Sequence, residues 1–317
     1  MADTFSGTLY NGSLNDYLYL VLGLESETAR KGGYHLIPNI AKEEELDRLS
    51  TTENPFTDYT DDTPTLDETA TTLDLRTLLP KKFMAWGSIT PAAWLPIWKK
   101  YRSQGTLTQL RANPKFMMDV FKLVKNASLR QFDLLFWQGD TLAGAASPLR
   151  FYDGIIKQLT ADSDGDIINV LPAGAITQLN VVDILVSFYK AIPAKFLDDP
   201  NFKIKMNTGD YTLLQLFNND VKKSTVGVLD QMVMNLFLNK KIEHFNNLPA
   251  SHIVGTHTSN SADSNLVAGV WADLNNEMSG MQLSVNEQLS KKTKYRFDGT
   301  GSANYRYGGD IVFYKPA

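Results

Sequence analysis

The chain contains 317 residues, 43% of them hydrophobic, with 31 basic and 35 acidic side chains and a formal net charge of −4 at pH 7. This length suffices for a large apolar core and predicts one elaborated domain or two smaller ones. The slightly acidic balance excludes a nucleic-acid reader with a broad basic face. The absence of cysteine excludes disulfide frameworks, thiolate metal sites and cysteine nucleophiles, and it indicates assembly in a reducing cytoplasm.

Residues 1–33 are polar and punctuated by glycine, which predicts an extended arm that needs a surface to lie on. The apolar run at 17–24 is much shorter than the roughly 20 residues that cross a bilayer. Because no basic start precedes this run, the sequence predicts neither a signal peptide nor a membrane anchor. Residues 34–38 predict a short strand that leads into a charged stretch at 42–45.

The charge changes sign between two neighbouring segments. Residues 41–70 carry ten acidic and two basic side chains with few apolar ones, a composition that does not hold a segment compact. Residues 73–138 carry eleven basic and three acidic side chains. The opposite charges predict that an acidic loop of one copy reaches the basic helix face of another copy. A solvated acidic loop is the alternative interpretation.

The candidate inter-subunit contacts are charged residues in and beside these two segments. They are acidic at Glu43, Glu44, Glu45, Asp58, Asp61 and Asp62, and basic at Lys81, Lys82, Lys99 and Lys100. The lysine pairs are also suited to contact phosphate, but the charge inversion favours contact with acidic loops.

A proline that follows a capping residue marks two helix starts. Residues 90–101 begin with Thr-Pro and predict a short helix that is kinked or restarted at Pro96. The Asn-Pro pair at 113–114 predicts a long helix through Gln138, which ends on the Gly-Asp-Thr sequence at 139–141. The apolar stripe of this helix consists of Phe116, Val120, Phe121, Val124, Phe132 and Leu135.

The second half of the chain mixes helix and strand patterns, which predicts an α+β fold class. Asn180 and Asp183 form a plausible cap pair for a helix whose buried face is Val181, Leu185, Phe188 and Ile192. Residues 202–206 alternate like a half-buried strand, and 207–208 open another helix that carries Tyr211, Leu214 and Phe217. Further strands are predicted at 253–254, 267–271 and 310–314.

The four histidines do not predict a metal site. His252 and His257 are five residues apart, which places them on opposite faces of a strand and poorly for one ion. His35 and His244 stand beside apolar residues and are predicted to pack.

Residues 162–166 read Asp-Ser-Asp-Gly-Asp and resemble a calcium loop. Ile167 stands where such a loop needs glycine, and Ala173 stands where it needs the closing glutamate. A polar turn is therefore predicted, and no cofactor.

Ser187 and Lys190 have the Ser-x-x-Lys spacing of penicillin-recognising hydrolases, but no Ser-Asp-Asn or Lys-Thr-Gly partner follows. On an amphipathic helix, Ser187 is predicted to be a packing residue. A Ser-Lys hydrolase is the alternative from another class of function, and the sequence assigns no catalytic residue.

Several stretches, taken in order, resemble the major capsid proteins of tailed bacteriophages, in the branch found in phages of the Bacteroidetes. The resemblance runs from about residue 34 to the C terminus and depends on the order and spacing of the stretches. They are Leu-Pro-Lys-Lys-Phe-Met at 79–84, Trp-Gln-Gly-Asp-Thr at 137–141, Tyr-Asp-Gly-Ile at 152–155, Ala-Ile-Pro at 191–193, Asp-Pro at 199–200 and Lys-Ile-Lys-Met-Asn at 203–207.

This resemblance implies the Hong Kong 97-like fold, with an N-terminal arm, an extended loop, a long spine helix, and peripheral and axial domains. The implied boundaries are an arm at 1–34, the extended loop with flanking strands at 35–90, the peripheral domain with the spine helix at 91–152, the axial domain at 153–248 and returning strands of both domains at 249–317. A scaffolding segment is not expected at the N terminus, so a separate scaffolding protein is implied. No covalent cross-link is predicted.

The implied function is structural and not enzymatic. Copies of the chain are expected to form hexamers and pentamers of an icosahedral shell that encloses double-stranded DNA without reading its sequence. The expected partners are other copies, a scaffolding protein and a portal, with no membrane. The expected location is the virion capsid, after assembly in the bacterial host cytoplasm. An encapsulin-type compartment has the same fold and is the alternative shell.

Overall fold

The computed structural model describes residues 25–38, 40, 42–51, 71–89, 99, 114–161, 165–224, 236–259, 262–271, 280–285 and 293–316. These residues form five α-helices: α1 Glu27–Arg30, α2 Pro114–Gln138, α3 Ile155–Thr160, α4 Val181–Lys190 and α5 Thr208–Ser224. The strands are β1 His35–Pro38, β2 Glu44–Thr51, β3 Thr71–Leu78, β4 Lys81–Ile89, β5 Ile168–Asn169, β6 Phe202–Asn207, β7 Leu236–Phe237, β8 Lys240–Phe245, β9 Ile253–His257, β10 Leu266–Trp271, β11 Gly280–Val285, β12 Thr293–Tyr305 and β13 Ile311–Tyr314. No helix in these ranges is long and apolar enough to cross a membrane.

The strands form three sheets. A five-stranded sheet has the order β1-β10-β12-β11, with β4 paired to β12 as well. A six-stranded sheet has the order β5-β13-β9-β6-β8-β7. Among the described residues, strands β2 and β3 pair only with each other, in an antiparallel ribbon whose register runs from Glu44 opposite Leu78 to Thr51 opposite Thr71. We call this pair of strands the ribbon.

Strand β12 organises the five-stranded sheet because it is long enough to bond to three partners. Its first residues, Thr293–Asp298, lie between β11 and β4. Its last residues, Thr300–Tyr305, pair with β10, which in turn holds β1 in parallel. The chain segment that precedes the ribbon and the segment that follows it are therefore both tied to the C-terminal part of the sequence.

The six-stranded sheet is buried on both faces, and its neighbouring residues alternate between two apolar cores as the pleat requires. Val254, Ile311 and Phe313 belong to the first core, which surrounds the C-terminal half of α2. Ile253 and Val312, their sequence neighbours, belong to the second core under α4 and α5. One sheet thus joins the two halves of the molecule.

The long helix is confirmed over Pro114–Gln138, and at about 1.5 Å per residue it is about 37 Å long. Phe132 and Leu135 of the predicted stripe are buried in the first core. The other four stripe residues are outside the described side chains. In the predicted helix at 90–101, only Lys99 is described, and it is helical.

The other predicted elements are confirmed with small shifts at their ends. Strands β1, β6, β9 and β10 and helices α4 and α5 lie where the patterns place them, and β13 begins at Ile311, since Asp310 closes a short 3-10 helix. Asn180 precedes α4, but the prediction that its side chain caps the helix is wrong. The Asn180 carboxamide is used by the preceding loop, accepting from the Thr177 N–H at 2.7 Å and donating to the Ala175 carbonyl at 3.0 Å.

Candidate assembly surface

Among the described side chains, a small apolar cluster joins the base of the ribbon to the body. Leu46 of β2 and Leu78 of β3 are fully buried there against Ile40 and Val267. The cluster leaves no room beside Gly269 of β10, where a Cβ atom would lie 2.6 Å from Ile40 Cδ1 and 2.8 Å from Leu78 Cδ2. The packing at this point fixes where the ribbon leaves the five-stranded sheet.

Two polar contacts reinforce the same end of the ribbon. The Arg76 guanidinium lies 4.0 Å from the ring centroid of Tyr305, a cation–π contact. The Asn304 side chain donates a hydrogen bond to the Thr77 carbonyl at 2.8 Å. Tyr305 and Asn304 both lie at the end of β12, so β12 also positions the ribbon.

The structure places five of the predicted contact residues near this base. Glu43, Glu44 and Glu45 are exposed where β2 begins, and Lys81 and Lys82 are exposed where β4 begins. Because Glu44 lies opposite Leu78 in the ribbon register, the acidic and basic groups are only a few residues apart along the paired strands. In the part of the chain that is described, the three glutamates make no ion pair.

The remaining predicted contact residues are not brought to this place. Lys99 is an exposed helical residue that follows β4 in the sequence. Asp58, Asp61, Asp62 and Lys100 lie outside the described residues.

The end of α2 is built by two of the sequence stretches that carry the resemblance. The Gly154 N–H donates to the Gly139 carbonyl at 2.8 Å, and a Cβ on Gly139 would lie 2.2 Å from the Tyr152 carbonyl oxygen. Lys157 contacts the carboxylates of Asp140 at 2.6 Å and Asp153 at 2.7 Å. The helix therefore ends where a second segment crosses it at a distance that only glycine permits.

The pKa values of this charged group follow from its contacts. The hydrogen bond from Lys157 lowers the pKa of Asp140. Burial by itself raises the pKa of Asp153, but hydrogen bonds from Lys157 and Thr141 outweigh it and lower the pKa. Both carboxylates are held ionised, as a surface ion-pair cluster requires.

Short helix α1 is fixed to the spine helix α2 by a buried polar network. The Trp137 indole donates to Thr28 Oγ1 at 2.9 Å, and Asp133 accepts from the Thr28 N–H at 3.2 Å. Ser26 caps α1 through Ala29 and lies 2.7 Å from the Tyr34 hydroxyl. Burial raises the pKa of Asp133 and of Tyr34 above their ordinary values.

A polar cleft of about 920 Å³ lies beside this network. It runs between α1, α2 and the residues that follow β8, and its charged lining is Glu25, Glu27, Arg30, Lys31, Arg130 and Asp133. Two of the acidic lining groups have protein partners: Lys31 bonds Glu27 at 2.8 Å, and Asn247 donates to Asp133 at 3.0 Å. With equal acidic and basic lining and no paired nucleophile and base, the cleft lacks the constellation of an active site.

A second charged cluster is buried on the six-stranded sheet. Lys205 is fully buried and donates to Thr258 Oγ1 at 2.8 Å. Its neighbour in register is Glu243, whose carboxylate lies 3.1 Å from the ammonium groups of Lys203 and Lys241. Burial lowers the pKa of Lys205 to about 7, although the charge of Glu243 opposes this.

The residues weighed as catalytic do not form a site. Ser187 and Lys190 are both exposed on α4, so the prediction that Ser187 packs is wrong. Phe188 belongs to the buried apolar face of α4, and Ser187 lies outside that face. In the part of the chain that the structure describes, no hydrogen bond joins Ser187 to Lys190, the contact that a Ser-Lys nucleophile and base require.

The histidines are accounted for by packing and polar contacts. His244 stacks on Tyr211, with ring centroids 4.7 Å apart, as its apolar surroundings predicted. His257 Nδ1 lies 2.6 Å from an Asp199 carboxylate oxygen. Within the described ranges, no group of three or more histidine, aspartate or glutamate side chains is placed to hold a metal ion.

Sequence reasoning missed Asp133 and Lys205. Each stands in an otherwise apolar or alternating stretch, Asp133 inside the spine helix and Lys205 inside β6. The sequence signal for each is a charged residue at a position where the helix or strand pattern predicts burial. That signal does not reveal which side chain pairs with the buried charge.

The sequence matches no protein-family model and no curated protein. Solved structures do match. A chain of the satellite phage P4 procapsid, in a structure that includes the size determination protein, has a TM-score of 0.65 at 11% identity over 95% of this chain and 90% of that chain. The capsid of the Myoviridae phage XM1 has a TM-score of 0.52 at 11% identity, covering 92% of each chain.

A third structure, the capsid of an empty GTA particle, has a TM-score of 0.50 at 14% identity over 90% of this chain and 94% of that chain. The chain has the Hong Kong 97-like fold. The expected α+β class is confirmed, and α2 is its long helix.

Proposed function

We propose that the chain is a major capsid protein of a tailed phage, whose copies assemble into hexamers and pentamers of an icosahedral shell around double-stranded DNA. The observation that carries the proposal is a fold shared with three capsid structures over at least 90% of the chain. The proposed placement is the virion, after assembly in the bacterial host cytoplasm with a separate scaffolding protein and a portal. The sequence stretches support the Bacteroidetes-phage branch.

The ribbon supports this role because it is a two-stranded element whose base is attached to the body by described contacts. Leu46, Leu78 and Arg76 attach it there, while Glu43 to Glu45 face solvent. A two-stranded ribbon is marginal in water unless it packs on something else. A neighbouring copy supplies that surface, and a standard contact of this kind buries about 1,600 Å².

The domain division belongs to the same proposal. Residues 1–34 form the arm, 35–90 the extended loop with its strands, 91–152 the peripheral domain, 153–248 the axial domain and 249–317 the returning strands. The two apolar cores support a division into two halves, since the first surrounds α2 and the second underlies α4 and α5.

Negative-stain microscopy of the purified full chain tests the function. We expect shells, tubes or ring-shaped capsomers, alone or with the co-expressed scaffolding protein. A uniform monomer under all conditions contradicts the proposal. Ester hydrolysis that Ser187→Ala abolishes would instead support the hydrolase. Particles that contain protein cargo and no DNA when isolated from the native host would support the encapsulin-type shell.

Charge reversal tests the proposed contact residues. Replacing Glu43, Glu44 and Glu45 by lysine, or Lys81 and Lys82 by glutamate, is expected to reduce particle yield several-fold. Combining both sets in one chain is expected to restore the yield, since each copy then meets a reversed partner. Unchanged yields in both single sets would indicate that these charges face solvent in the particle.

A further inference from the structure

Opposite edges of the six-stranded sheet each present exposed leucines. Beyond β5 at one edge, Leu171 and Leu179 are 87% and 86% exposed. At the other edge, Leu236 of β7 and Leu238 after it are 54% and 55% exposed. With strands about 4.8 Å apart, the six-stranded order places these two edges about 24 Å from each other.

The loop that holds the first pair of leucines is pinned to the sheet. The Tyr314 hydroxyl accepts from the Ala173 N–H at 3.2 Å and donates to the Gly174 carbonyl at 2.6 Å. The Ile176 N–H donates to Ser251 Oγ at 2.9 Å. Leu171 and Leu179 are therefore presented to water by a fixed backbone, which is characteristic of an apolar anchor at a protein contact.

The second pair lies on a strained turn. Leu238 and Asn239 join β7 to β8 with φ angles of 45° and 69°, the left-handed conformation of a two-residue hairpin turn. Asparagine and glycine adopt this conformation readily, whereas it costs leucine about 1–2 kcal/mol. A leucine kept at such a position, with its side chain exposed, indicates a use for that side chain.

Helix α4 connects the two edges and carries opposite charges at its ends. Its first turn follows Leu179 and includes the exposed Asp183, and its last residue is the exposed Lys190. The Tyr189 hydroxyl donates to Asn239 at 3.2 Å, which places this end of α4 at the β7 edge. Within the described part of the chain, neither Asp183 nor Lys190 has an ion-pair partner.

We propose that these edges are the two halves of a head-to-tail contact between copies of this chain. Leu171, Leu179 and Asp183 of one copy pack against Leu236, Leu238 and Lys190 of a second copy. The contact rests on the proposed shell function and specifies one of its interfaces. Because the two surfaces differ and lie on opposite sides of the subunit, the contact repeats from copy to copy and forms a ring where the rotation between copies closes, whereas a self-matching surface would stop at a dimer.

Disulfide trapping tests the contact cleanly because the chain contains no cysteine. One cysteine is placed at Leu171 or Leu179 and another at Leu236 or Leu238, giving four double variants of the full chain. The variants are assembled, oxidised and separated on non-reducing gels. We expect at least one double variant to give a ladder of cross-linked copies that disappears on reduction, while each single variant stays monomeric on the gel.

The control is Leu142→Cys combined with Leu238→Cys, since Leu142 is 84% exposed, follows the end of α2 and belongs to no strand of the six-stranded sheet. Dimers from single variants would overturn the proposal, because they require a self-matching contact. Absence of a ladder above the control level in all four double variants, while particles form, would overturn this contact and leave the shell function intact. Absence of any particles from the parent chain would overturn both.

Charge exchange gives an independent readout that a folding defect does not imitate. Asp183→Lys and Lys190→Asp are each expected to lower the yield of rings several-fold, and the two together are expected to restore it. Single variants that assemble like the parent chain, or a double variant that is worse than either single one, would contradict the pairing of these two charges.

Discussion

The ribbon and the six-stranded sheet are both β structure, but they are stabilised in different ways. The sheet is covered by apolar cores on both faces, with Val254 and Ile253 pointing to opposite sides. The described side chains of the ribbon form a small cluster around Leu46 and Leu78, where the ribbon leaves the body. The comparison teaches that the body has apolar cores of its own, whereas under the proposed function the ribbon gains further packing from a neighbouring copy.

Deleting residues 54–68 is the most severe test of this difference. We expect a folded monomer that forms no shells, because the segment lies between the two ribbon strands in sequence and is proposed to reach a neighbouring copy. Particle formation by microscopy and the thermal midpoint by circular dichroism are measured on the same preparation. Normal shells would show that the segment is not the part that reaches a neighbour.

Truncation inside the second core is expected to have the largest effect on stability. Phe188 is fully buried and packs against Gly255 and Phe202, so Phe188→Ala should reduce the free energy of unfolding by about 3–5 kcal/mol. Denaturant unfolding of the monomer measures it. The exposed control Leu142→Ala should change stability by no more than about 0.5 kcal/mol. Equal losses would contradict the two-core architecture.

Gly269→Ala tests the ribbon base. The added methyl would meet Ile40, Leu78 and Ser302 Oγ at 2.4–2.8 Å, so we expect a loss of about 1–3 kcal/mol. Ribbon displacement should accompany it, measured as faster amide hydrogen exchange in β2 and β3 than in the parent chain. Unchanged exchange in the ribbon together with faster exchange in the six-stranded sheet would place the strain elsewhere.

Lys205 provides a pH-dependent test within the six-stranded sheet. Its folded pKa of about 7 lies below the ordinary value of 10.5, so between these values the unfolded chain binds more protons. The free energy of unfolding therefore rises with pH across this window, by at most about 1.4 kcal/mol per pH unit for one group.

Lys205→Met should remove this rise, because methionine carries no proton in either state. Urea unfolding at pH 7, 8 and 9 measures the slope, and Lys203→Met is the matched control on the same strand. A slope that is unchanged in Lys205→Met would show that the buried lysine is not the titrating group.

Strong local patterns predicted the elements but not their partners. The Asn-Pro start and the Gly-Asp-Thr end define the spine helix, and the alternation of 202–206 defines β6, because both depend on neighbours in sequence. The pairing of β4 with β12 joins residues more than 200 positions apart, and no local pattern contains it. The charged candidates Glu43 to Glu45 and Lys81 were found, but their position at the ribbon base follows only from the β2–β3 register.

The sequence by itself determined the charge inversion between 41–70 and 73–138, the lack of thiol chemistry, and the position of the long helix, since these are properties of composition and of short-range periodicity. The tertiary structure decided which charges are buried, as Lys205 and Asp133 are, and that Leu171 and Leu238 lie at opposite edges of one sheet. Burial and edge position depend on how distant strands are ordered in a sheet, and that order is fixed by packing of the whole chain.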